Sequence, residues 1–296
     1  MKYILTAFLV AGIATANAQQ LQTSSLNNLQ GVLQNPAMAG VQETNFVGAT
    51  YRTQWSAISG SPKTATIFGS FDMPKQKIGI GGYVYSDKTG PTSRTGVELS
   101  LAKHIVMDKG TFSLGIESRF QQYALDKAKL TATLGSDPAI GGADNRFKYD
   151  AGFGVAYVTK RLQIGASVSQ LVQSKLDFYS GNLSTTEAAR LYRHYYFHGA
   201  YTWNVDGVTT ITPNFMVTYL PNAPTDFQLG ARVEHRGIFW WGLGYRTKQS
   251  YMLSAGVHIN KKFTLGYAYD DYITPISNFD GGSNGHELLL RFNFQK

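Results

Sequence analysis

The feature that most constrains this chain is a two-residue alternation between apolar side chains and small or polar ones, repeated along most of its length. In one segment Leu162, Ile164, Ala166 and Val168 alternate with glutamine, glycine and serine. Successive side chains of a β-strand point to opposite faces, so this alternation predicts strands with one apolar face. Most segments have about 9–11 residues, the length that a tilted strand needs to cross a bilayer. Fourteen segments show the pattern: 44–52, 64–72, 77–86, 94–104, 110–121, 149–158, 161–169, 192–204, 208–218, 226–234, 237–246, 250–259, 262–270 and 285–294.

The connections between these segments are alternately short and long. The short connections are 73–76, 106–110, 159–160, 205–207, 235–237 and 260–262. The long connections are 53–63, 87–93, 122–148, 170–191, 219–225 and 271–284, and only the brief connection at 247–249 breaks the pattern. Transmembrane barrels have short periplasmic turns and longer outer loops, whereas a soluble β-sandwich shows no such alternation. The sequence therefore predicts an all-β fold, a transmembrane antiparallel up-and-down β-barrel of about 14 strands.

The last segment, 285–294, indicates what the apolar face contacts. Leu288, Leu290, Phe292 and Phe294 lie on one face of this strand. We expect that face to contact outer-membrane lipids, and we expect the strand to pair with the first one so that no edge stays open. The strand also resembles the signal that the barrel-assembly machinery recognises. An ordinary antiparallel edge strand is the alternative.

The N-terminus has the features of a secretory signal peptide. Lys2 is followed by a mostly apolar stretch at 3–14 and by the small residues Ala16 and Ala18 of a cleavage site. The apolar stretch is too short to span a bilayer as a helix. We therefore predict a signal peptide at 1–18, a periplasmic N-terminal segment at 19–43 and an outer-membrane barrel at 44–296. A retained amphipathic anchor is the alternative for the first segment.

The sequence offers little to catalysis or to metal binding. It contains no cysteine, which excludes disulfides and thiolate sites. His194 and His198 have the spacing of a helical metal pair, but on a strand they lie about 13 Å apart. We predict no catalytic residue, no metal and no cofactor, and an enzymatic barrel is the weakest reading. The net charge is +8, but export and the lack of a run of five basic residues argue against nucleic acid as a partner.

Charged residues occur in two settings. Five fall on the polar faces of strands, where they either line a pore or form ion pairs that brace the lumen, and the cost of an unpaired buried charge favours bracing. These are Glu98, Glu117, Arg119, Arg232 and Glu234. Eight basic residues lie in or beside the short turns: Lys75, Lys77, Lys109, Lys160, Arg161, Arg236, Lys261 and Lys262. This rim either docks an acidic periplasmic partner or the anionic inner leaflet, or is simply solvated.

Three short motifs occur in order along the chain: NPAMAG at 35–40, YRTQW at 51–55 and GSPKT at 60–64. Two further stretches, GIGGYVYSDKTGP at 79–91 and RHYYFHGAY at 193–201, accompany them. Together they resemble the PorP/SprF family of outer-membrane proteins of the type IX secretion system of Bacteroidetes. The motif residues are Asn35, Pro36, Gly40, Tyr51, Arg52, Gln54, Trp55, Gly60, Pro62, Thr64, Asp87, Gly90 and Pro91.

The resemblance implies a barrel that works with the type IX machinery in protein secretion and gliding motility. The implied partners are a secreted adhesin or other protein with a C-terminal sorting domain, and the translocon apparatus with its peptidoglycan-binding lipoprotein and periplasmic ring. It also implies that the protein is not an enzyme. A passive outer-membrane porin or small-solute channel is the alternative.

The motif residues also have a physical interpretation. Asn35 is expected to cap a turn and Pro36 to fix an extended entry into the first strand. Tyr51 and Trp55 suit an aromatic girdle, which places Arg52 and Gln54 on the opposite face, where they can bond to a plug or a neighbouring loop. Stabilisation of the barrel mouth is favoured over contact with a client.

Overall fold

The computed structural model describes residues 23–41, 45–134, 145–175, 191–221, 223–273 and 284–294. Its strands form one antiparallel sheet. They are β1 (Asn45–Thr53), β2 (Lys63–Met73), β3 (Ile78–Thr89), β4 (Thr92–Met107), β5 (Gly110–Leu125), β6 (Asn145–Val158), β7 (Leu162–Ser169), β8 (His194–Tyr201), β9 (Trp203–Asn204), β10 (Thr209–Tyr219), β11 (Asp226–His235), β12 (Phe239–Arg246), β13 (Ser250–Ile259), β14 (Phe263–Tyr272) and β15 (Asn284–Phe294).

The sheet closes on itself. β1 pairs with β15 from Asn45 opposite Phe294 to Thr53 opposite His286, and β10 pairs with β11 from Thr209 opposite His235 to Thr218 opposite Asp226. β8 and β9 follow one another along the same edge of β10 and act as one interrupted strand. The closed antiparallel barrel of fourteen strands that the sequence predicts is thereby confirmed. Closure leaves no exposed edge at the join between the first and last strands.

Short and long connections gather at opposite ends of the barrel, which we call the turn end and the loop end. Turns at 74–77, 108–109, 159–161, 205–208, 236–238 and 260–262 form the turn end. One predicted long loop, 87–93, is wrong, because the β3–β4 ladder continues to Thr89 opposite Thr92. Gly90 adopts a left-handed φ of 56°, which permits a two-residue turn there.

The helices are short. Three 3₁₀ helices, Asn27–Leu29, Gly31–Leu33 and Pro36–Met38, precede the barrel in sequence, and helix α1 (Lys127–Leu134) lies in the β5–β6 connection. Within the described ranges, no helix has the length and apolar character needed to cross a membrane. The sequence at 184–187 fits a helix capping box, but it lies outside the described residues.

The two faces of the barrel differ as the alternation predicts. Every strand presents at least one large apolar side chain on the outside, for example Ile67 and Leu99. On β15, Leu288 and Leu290 are 57% and 49% exposed, whereas Glu287 and Leu289 are buried inside. The direction predicted for the final strand is therefore confirmed, and a continuous apolar band surrounds the barrel.

Leu290 lies near the middle of β15, opposite Ala49 in the middle of β1, so it tests this band. We expect Leu290→Arg to cost about 2–4 kcal/mol in folding into lipid vesicles, because a cation at mid-membrane is poorly solvated. The matched change Phe294→Arg, at the strand end, should cost about 0–1 kcal/mol. Urea titrations in vesicles measure both values, and equal costs at the two positions would contradict a lipid-facing band.

Candidate functional site

The interior of the barrel is occupied by its own N-terminal segment. Residues 23–41, hereafter the plug, lie inside the lumen, where Leu26, Val32, Ala37 and Ala39 are at most 2% exposed. This corrects the prediction of a periplasmic segment at 19–43 for the part that the structure describes. The physical reason is visible in the sequence, because no charged residue occurs from 23 to 41. Amide, hydroxyl and small apolar side chains can be buried in a polar lumen at little cost once they are hydrogen-bonded.

The plug runs along the lumen from the loop-end half towards the turn end. Ser24 and Ser25 bond to Glu287, near the loop end of β15. At the other end, the Gly40 backbone N–H donates to Ser70 Oγ at 2.8 Å, and His104 Nε2 lies 3.0 Å from the carbonyl oxygen of Ala39. The chain therefore reaches the turn end just before β1 begins there.

A buried ionic cluster holds the plug in the loop-end half. Arg52 pairs with Asp270 and with Glu287, the latter at 3.1 Å. Ser24 Oγ donates to Glu287 Oε1 at 2.6 Å, and Ser25 Oγ donates to Asp270 Oδ1 at 2.6 Å. All three charged side chains are at most 4% exposed. Arg52 Nη1 also donates to Ser25 Oγ at 3.1 Å, so the expectation that Arg52 can bond to a plug is confirmed. Each carboxylate also links the barrel wall to the plug.

Two members of this cluster were absent from the predicted site. Asp270 and Glu287 lie on the inward faces of β14 and β15 and converge on Arg52 of β1. The sequence feature that pointed to Glu98 and Glu117 is an acidic residue on the polar face of an alternating strand. Asp270 and Glu287 share this feature and could have been found by it. Arg246, on β12, extends the cluster by donating from Nη2 to the Ser24 carbonyl oxygen at 3.2 Å.

Asn35 fixes the middle of the plug. It is fully buried, its Nδ2 donates to the Val155 carbonyl oxygen at 3.0 Å, and Nδ2 lies 3.0 Å from His198 Nε2. Its Oδ1 accepts the Ala37 N–H at 2.9 Å, so the predicted cap is confirmed. Pro36 begins the 3₁₀ helix Pro36–Met38 inside the lumen instead of leading directly into β1, which corrects its predicted role.

Glycines in the wall allow the plug backbone to approach closely. A Cβ added at Gly79 would overlap the carbonyl of Ala39, and one added at Gly115 would overlap the backbone of Pro36 and Ala37. The structure therefore places both glycines where the wall meets the plug backbone, a contact that leaves no room for a side chain.

Gly115→Ala should therefore displace the plug while leaving the strand pairing intact. Alanine adds only a methyl group, but that group occupies the space of the plug backbone, which has no flexible side chain to move aside. The chain has no native cysteine, so the reaction of Ala37→Cys with a maleimide reports plug exposure. Labelling should speed up in the Gly115→Ala background. Gly230→Ala, whose Cβ would meet nothing closer than 3.1 Å, should leave it slow.

A second group of buried charges lies on β4 and β5. Arg119 Nη2 pairs with Glu117 Oε1 at 3.0 Å, the Arg119 guanidinium lies 5.7 Å from the Tyr83 ring centre, and Glu98 accepts a hydrogen bond from Ser100. These contacts support the bracing interpretation for this part of the lumen. Arg232 and Glu234 lie towards the turn end, where Glu234 is 3.6 Å from His258 Nε2.

The family-like motif residues at the end of β1 and just after it lie at the loop end. Tyr51 is 47% exposed on the outer face, in agreement with a girdle position. Trp55 is not in the girdle, because the chain turns at its positive φ of 54° and its ring packs edge-on against Tyr272 at 6.3 Å. Gln54 Nε2 donates to the Tyr272 hydroxyl at 3.1 Å, so both side chains hold the mouth of the barrel.

The other motif residues join the first two loop-end connections. The Gly90 N–H donates to the Gly60 carbonyl at 2.7 Å, and Thr64 Oγ1 donates to Asp87 Oδ1 at 2.7 Å. The Pro62 and Pro91 carbonyl oxygens accept the N–H groups of Gln54 and Asp126, at 3.0 and 2.7 Å. The structure thus places four hydrogen bonds at the loop end that involve Gln54, Gly60, Pro62, Thr64, Asp87, Gly90 and Pro91.

All eight basic residues of the predicted rim are exposed and lie in or beside turn-end connections. They occupy five of the six turns, and the remaining turn, between β9 and β10, carries Asp206. Hydrogen bonds from the Thr209 and Val208 backbone N–H groups lower the pKa of Asp206.

Among the described residues, no group of three or more histidine or acidic side chains is arranged to hold a metal ion.

The comparisons with known proteins concern the family and the fold. A family model described as "Type IX secretion system membrane protein PorP/SprF" matches residues 15–292. No curated protein matches the sequence. The outer membrane protein Omp33 of Acinetobacter baumannii is similar at a TM-score of 0.50 and 9% identity, over 86% of this chain and 100% of that one. CymD, described as a monoaromatic hydrocarbon channel, is similar at a TM-score of 0.50 and 11% identity, over 90% and 93%. At these identities the likeness shows the fold alone.

Proposed function

The chain belongs to the PorP/SprF family of type IX secretion system membrane proteins, and we propose that its barrel is a docking component of that system and not a conduit. In this role it supports the secretion or surface attachment of proteins with C-terminal sorting domains. It also docks the periplasmic apparatus, including a peptidoglycan-binding lipoprotein and the periplasmic ring. No catalytic step is part of this proposal.

The observation that carries the proposal is the filled lumen. Ser24, Ser25 and Asn35 of the plug are hydrogen-bonded to the wall, and glycines let the plug backbone press against it. A conduit for a protein would require this buried, bonded segment to leave, at the cost of every one of these contacts. A barrel sealed by its own chain is better suited to hold partners at its ends.

The proposed orientation follows the ordinary architecture of outer-membrane barrels. The signal peptide at 1–18 directs export and is cleaved, the turn end faces the periplasm, and the loop end faces outward. The basic rim then faces the periplasmic apparatus. At the loop end, Arg52, Gln54, Thr64 and Asp87 bond within the barrel, so they serve partners by fixing the shape of the mouth.

The docking role of the rim is tested by charge reversal. Lys75, Lys109, Lys160 and Lys261 are changed together to glutamate, and the tagged barrel is used to recover periplasmic type IX components from detergent extracts. We expect recovery to fall, because an acidic surface repels an acidic partner. The matched control reverses four exposed loop-end lysines, Lys63, Lys88, Lys129 and Lys248. Unchanged recovery with the turn-end variant would overturn rim docking.

The role as a whole is tested in the cell. Deletion of the gene should reduce the amount of a protein with a C-terminal sorting domain at the cell surface, and the unaltered gene should restore it. Normal surface display in the deletion strain would count against the proposal. The alternative, a small-solute channel, is favoured by a cavity that opens at the turn end, and steady openings of the unaltered chain in planar bilayers would support it.

A further inference from the structure

The plug leaves one part of the lumen open. A depression of about 870 Å³ opens at the turn end beside β4 to β11, and plug residues Asn28 and Val41 form part of its lining. We call this depression the turn-end vestibule. Ligand pockets for small molecules usually have volumes of about 300–1,000 Å³, so the vestibule lies at the upper end of that range and can take several side chains of a polypeptide that reaches its open mouth.

The lining of the vestibule is strongly basic. Lys109, Lys160 and Arg161 come from two turns at its mouth, and Arg232 of β11 lies on its wall. Asp108 is the one acidic residue among the residues that line it. Cations around a concave, low-dielectric wall concentrate their field in the depression, so the vestibule attracts anions.

Arg232 is the residue of the vestibule at which we expect an anion to bind. Its Nε and Nη1 atoms are buried and have no hydrogen-bond partner among the described residues. The nearest acidic neighbour in sequence, Glu234, attracts the Arg232 guanidinium by its charge, but it lies 3.6 Å from His258 and makes no hydrogen bond to Nε or Nη1 of Arg232. Buried guanidinium donors without acceptors are costly, and carboxylate oxygens are acceptors that form strong, charge-assisted hydrogen bonds with a guanidinium.

We propose that the turn-end vestibule binds an acidic peptide segment of a partner protein, with a carboxylate on Arg232 and further acidic groups on Lys109, Lys160 and Arg161. The apolar side chains of Val41, Met107 and Val158 also line the vestibule and contact the aliphatic parts of such a segment. The plug seals the inner side, so the segment enters from the turn end and stops there. This inference rests on the proposed function in one respect, because it assumes that a protein partner reaches the turn end.

Binding is measured with the purified full chain in detergent and a fluorescent octaglutamate peptide, by fluorescence anisotropy. We expect Arg232→Gln to weaken binding about tenfold or more, which corresponds to the loss of one buried charge-assisted contact. The matched control Lys75→Gln removes one exposed turn-end charge outside the vestibule and should weaken binding by less than about twofold. If Arg232→Gln fails to fold, the double variant Lys109→Gln/Lys160→Gln is measured in its place, and we expect it to weaken peptide binding as well.

The position of the peptide is checked by protection of single cysteines from a maleimide. Thr202 lines the vestibule, whereas Thr89 is exposed in the β3–β4 hairpin at the loop end. Octaglutamate should slow the labelling of Thr202→Cys severalfold and should leave that of Thr89→Cys unchanged.

Three results would overturn the proposal: no saturable binding, equal weakening by Lys75→Gln and Arg232→Gln, or displacement of the peptide by an equal concentration of inorganic phosphate. The last result would indicate a small-anion site. These measurements use the purified chain, so they fail or succeed independently of the secretion test above. If the peptide binds at Arg232 but deletion of the gene leaves secretion normal, the proposed function is refuted and this inference is not.

Discussion

Replacing Arg52 by methionine should destabilise the barrel by about 3–5 kcal/mol, the cost of leaving a buried ion pair without one partner. Arg52 is the cation between Asp270 and Glu287, and both carboxylates are at most 1% exposed. Methionine keeps much of the side-chain volume, so the loss is electrostatic and not a matter of packing. The measurement is urea-induced unfolding in detergent or vesicles, followed by tryptophan fluorescence.

The same substitution should loosen the plug, because repulsion between the two carboxylates separates the groups that hold Ser24 and Ser25. Maleimide labelling of Ala37→Cys reports that change. The matched control is Lys129→Met, since Lys129 forms an exposed pair with Asp126 at 3.3 Å and its loss should cost about 0–1 kcal/mol. The triple variant Arg52→Met/Asp270→Asn/Glu287→Gln removes all three charges and should recover much of the stability. If the triple variant is as unstable as Arg52→Met alone, packing and not charge explains the effect.

The barrel itself was predictable because its determinants are local. Each strand can be recognised from the two-residue period of its own side chains. The alternation of short and long connections follows because the chain crosses the membrane back and forth. The positions of Leu288 and Leu290 outside and Glu287 inside follow from that period. The error at 87–93 has a local cause too, since Gly90 with a left-handed φ turns a predicted loop into a tight hairpin.

The plug was missed because it has no period to recognise. Three successive 3₁₀ helices give neither the alternation of a strand nor the apolar stripe of an α-helix. Its contacts are also remote in sequence, since Ser24 and Glu287 are separated by 263 positions. The uncharged composition of 23–41 is the one local signal, and it is compatible with burial without specifying where.

The site was predictable in part for the same reason. Alternation placed Arg52 inside and Arg232 on a polar face, but it assigned neither a partner. Only the assembled barrel shows that Arg52 meets two carboxylates while the Nε and Nη1 atoms of Arg232 meet none among the described residues. The two arginines therefore have different roles. One holds the plug in place, and the other is available to an external anion.

Deleting residues 23–38 should convert the sealed barrel into a conducting one, with a current about tenfold or more above that of the unaltered chain in planar bilayers. Barrels larger than about eight strands have a lumen that side chains alone do not fill, so another element must occupy it. Here that element is the plug, and Ala39 to Val41 remain in the variant to lead into the first strand. The wall keeps its ion pairs between Arg52, Asp270 and Glu287, so the empty barrel should still fold.

A second variant keeps the plug but removes two of its hydrogen bonds to the wall, so it separates the effect of losing the plug from the effect of loosening it. Ser24→Ala/Ser25→Ala removes the two hydroxyl groups that bond to Glu287 and Asp270 but leaves Asn35 bonded to the wall. We expect brief, intermittent openings, because the loop-end half of the plug then keeps only its backbone and Gln30 bonds to the wall and leaves the lumen at intervals. Heat-dependent migration in gels confirms that each variant is folded. If the folded deletion variant stays silent, the remaining wall side chains close the lumen by themselves, and the plug has a role other than sealing it.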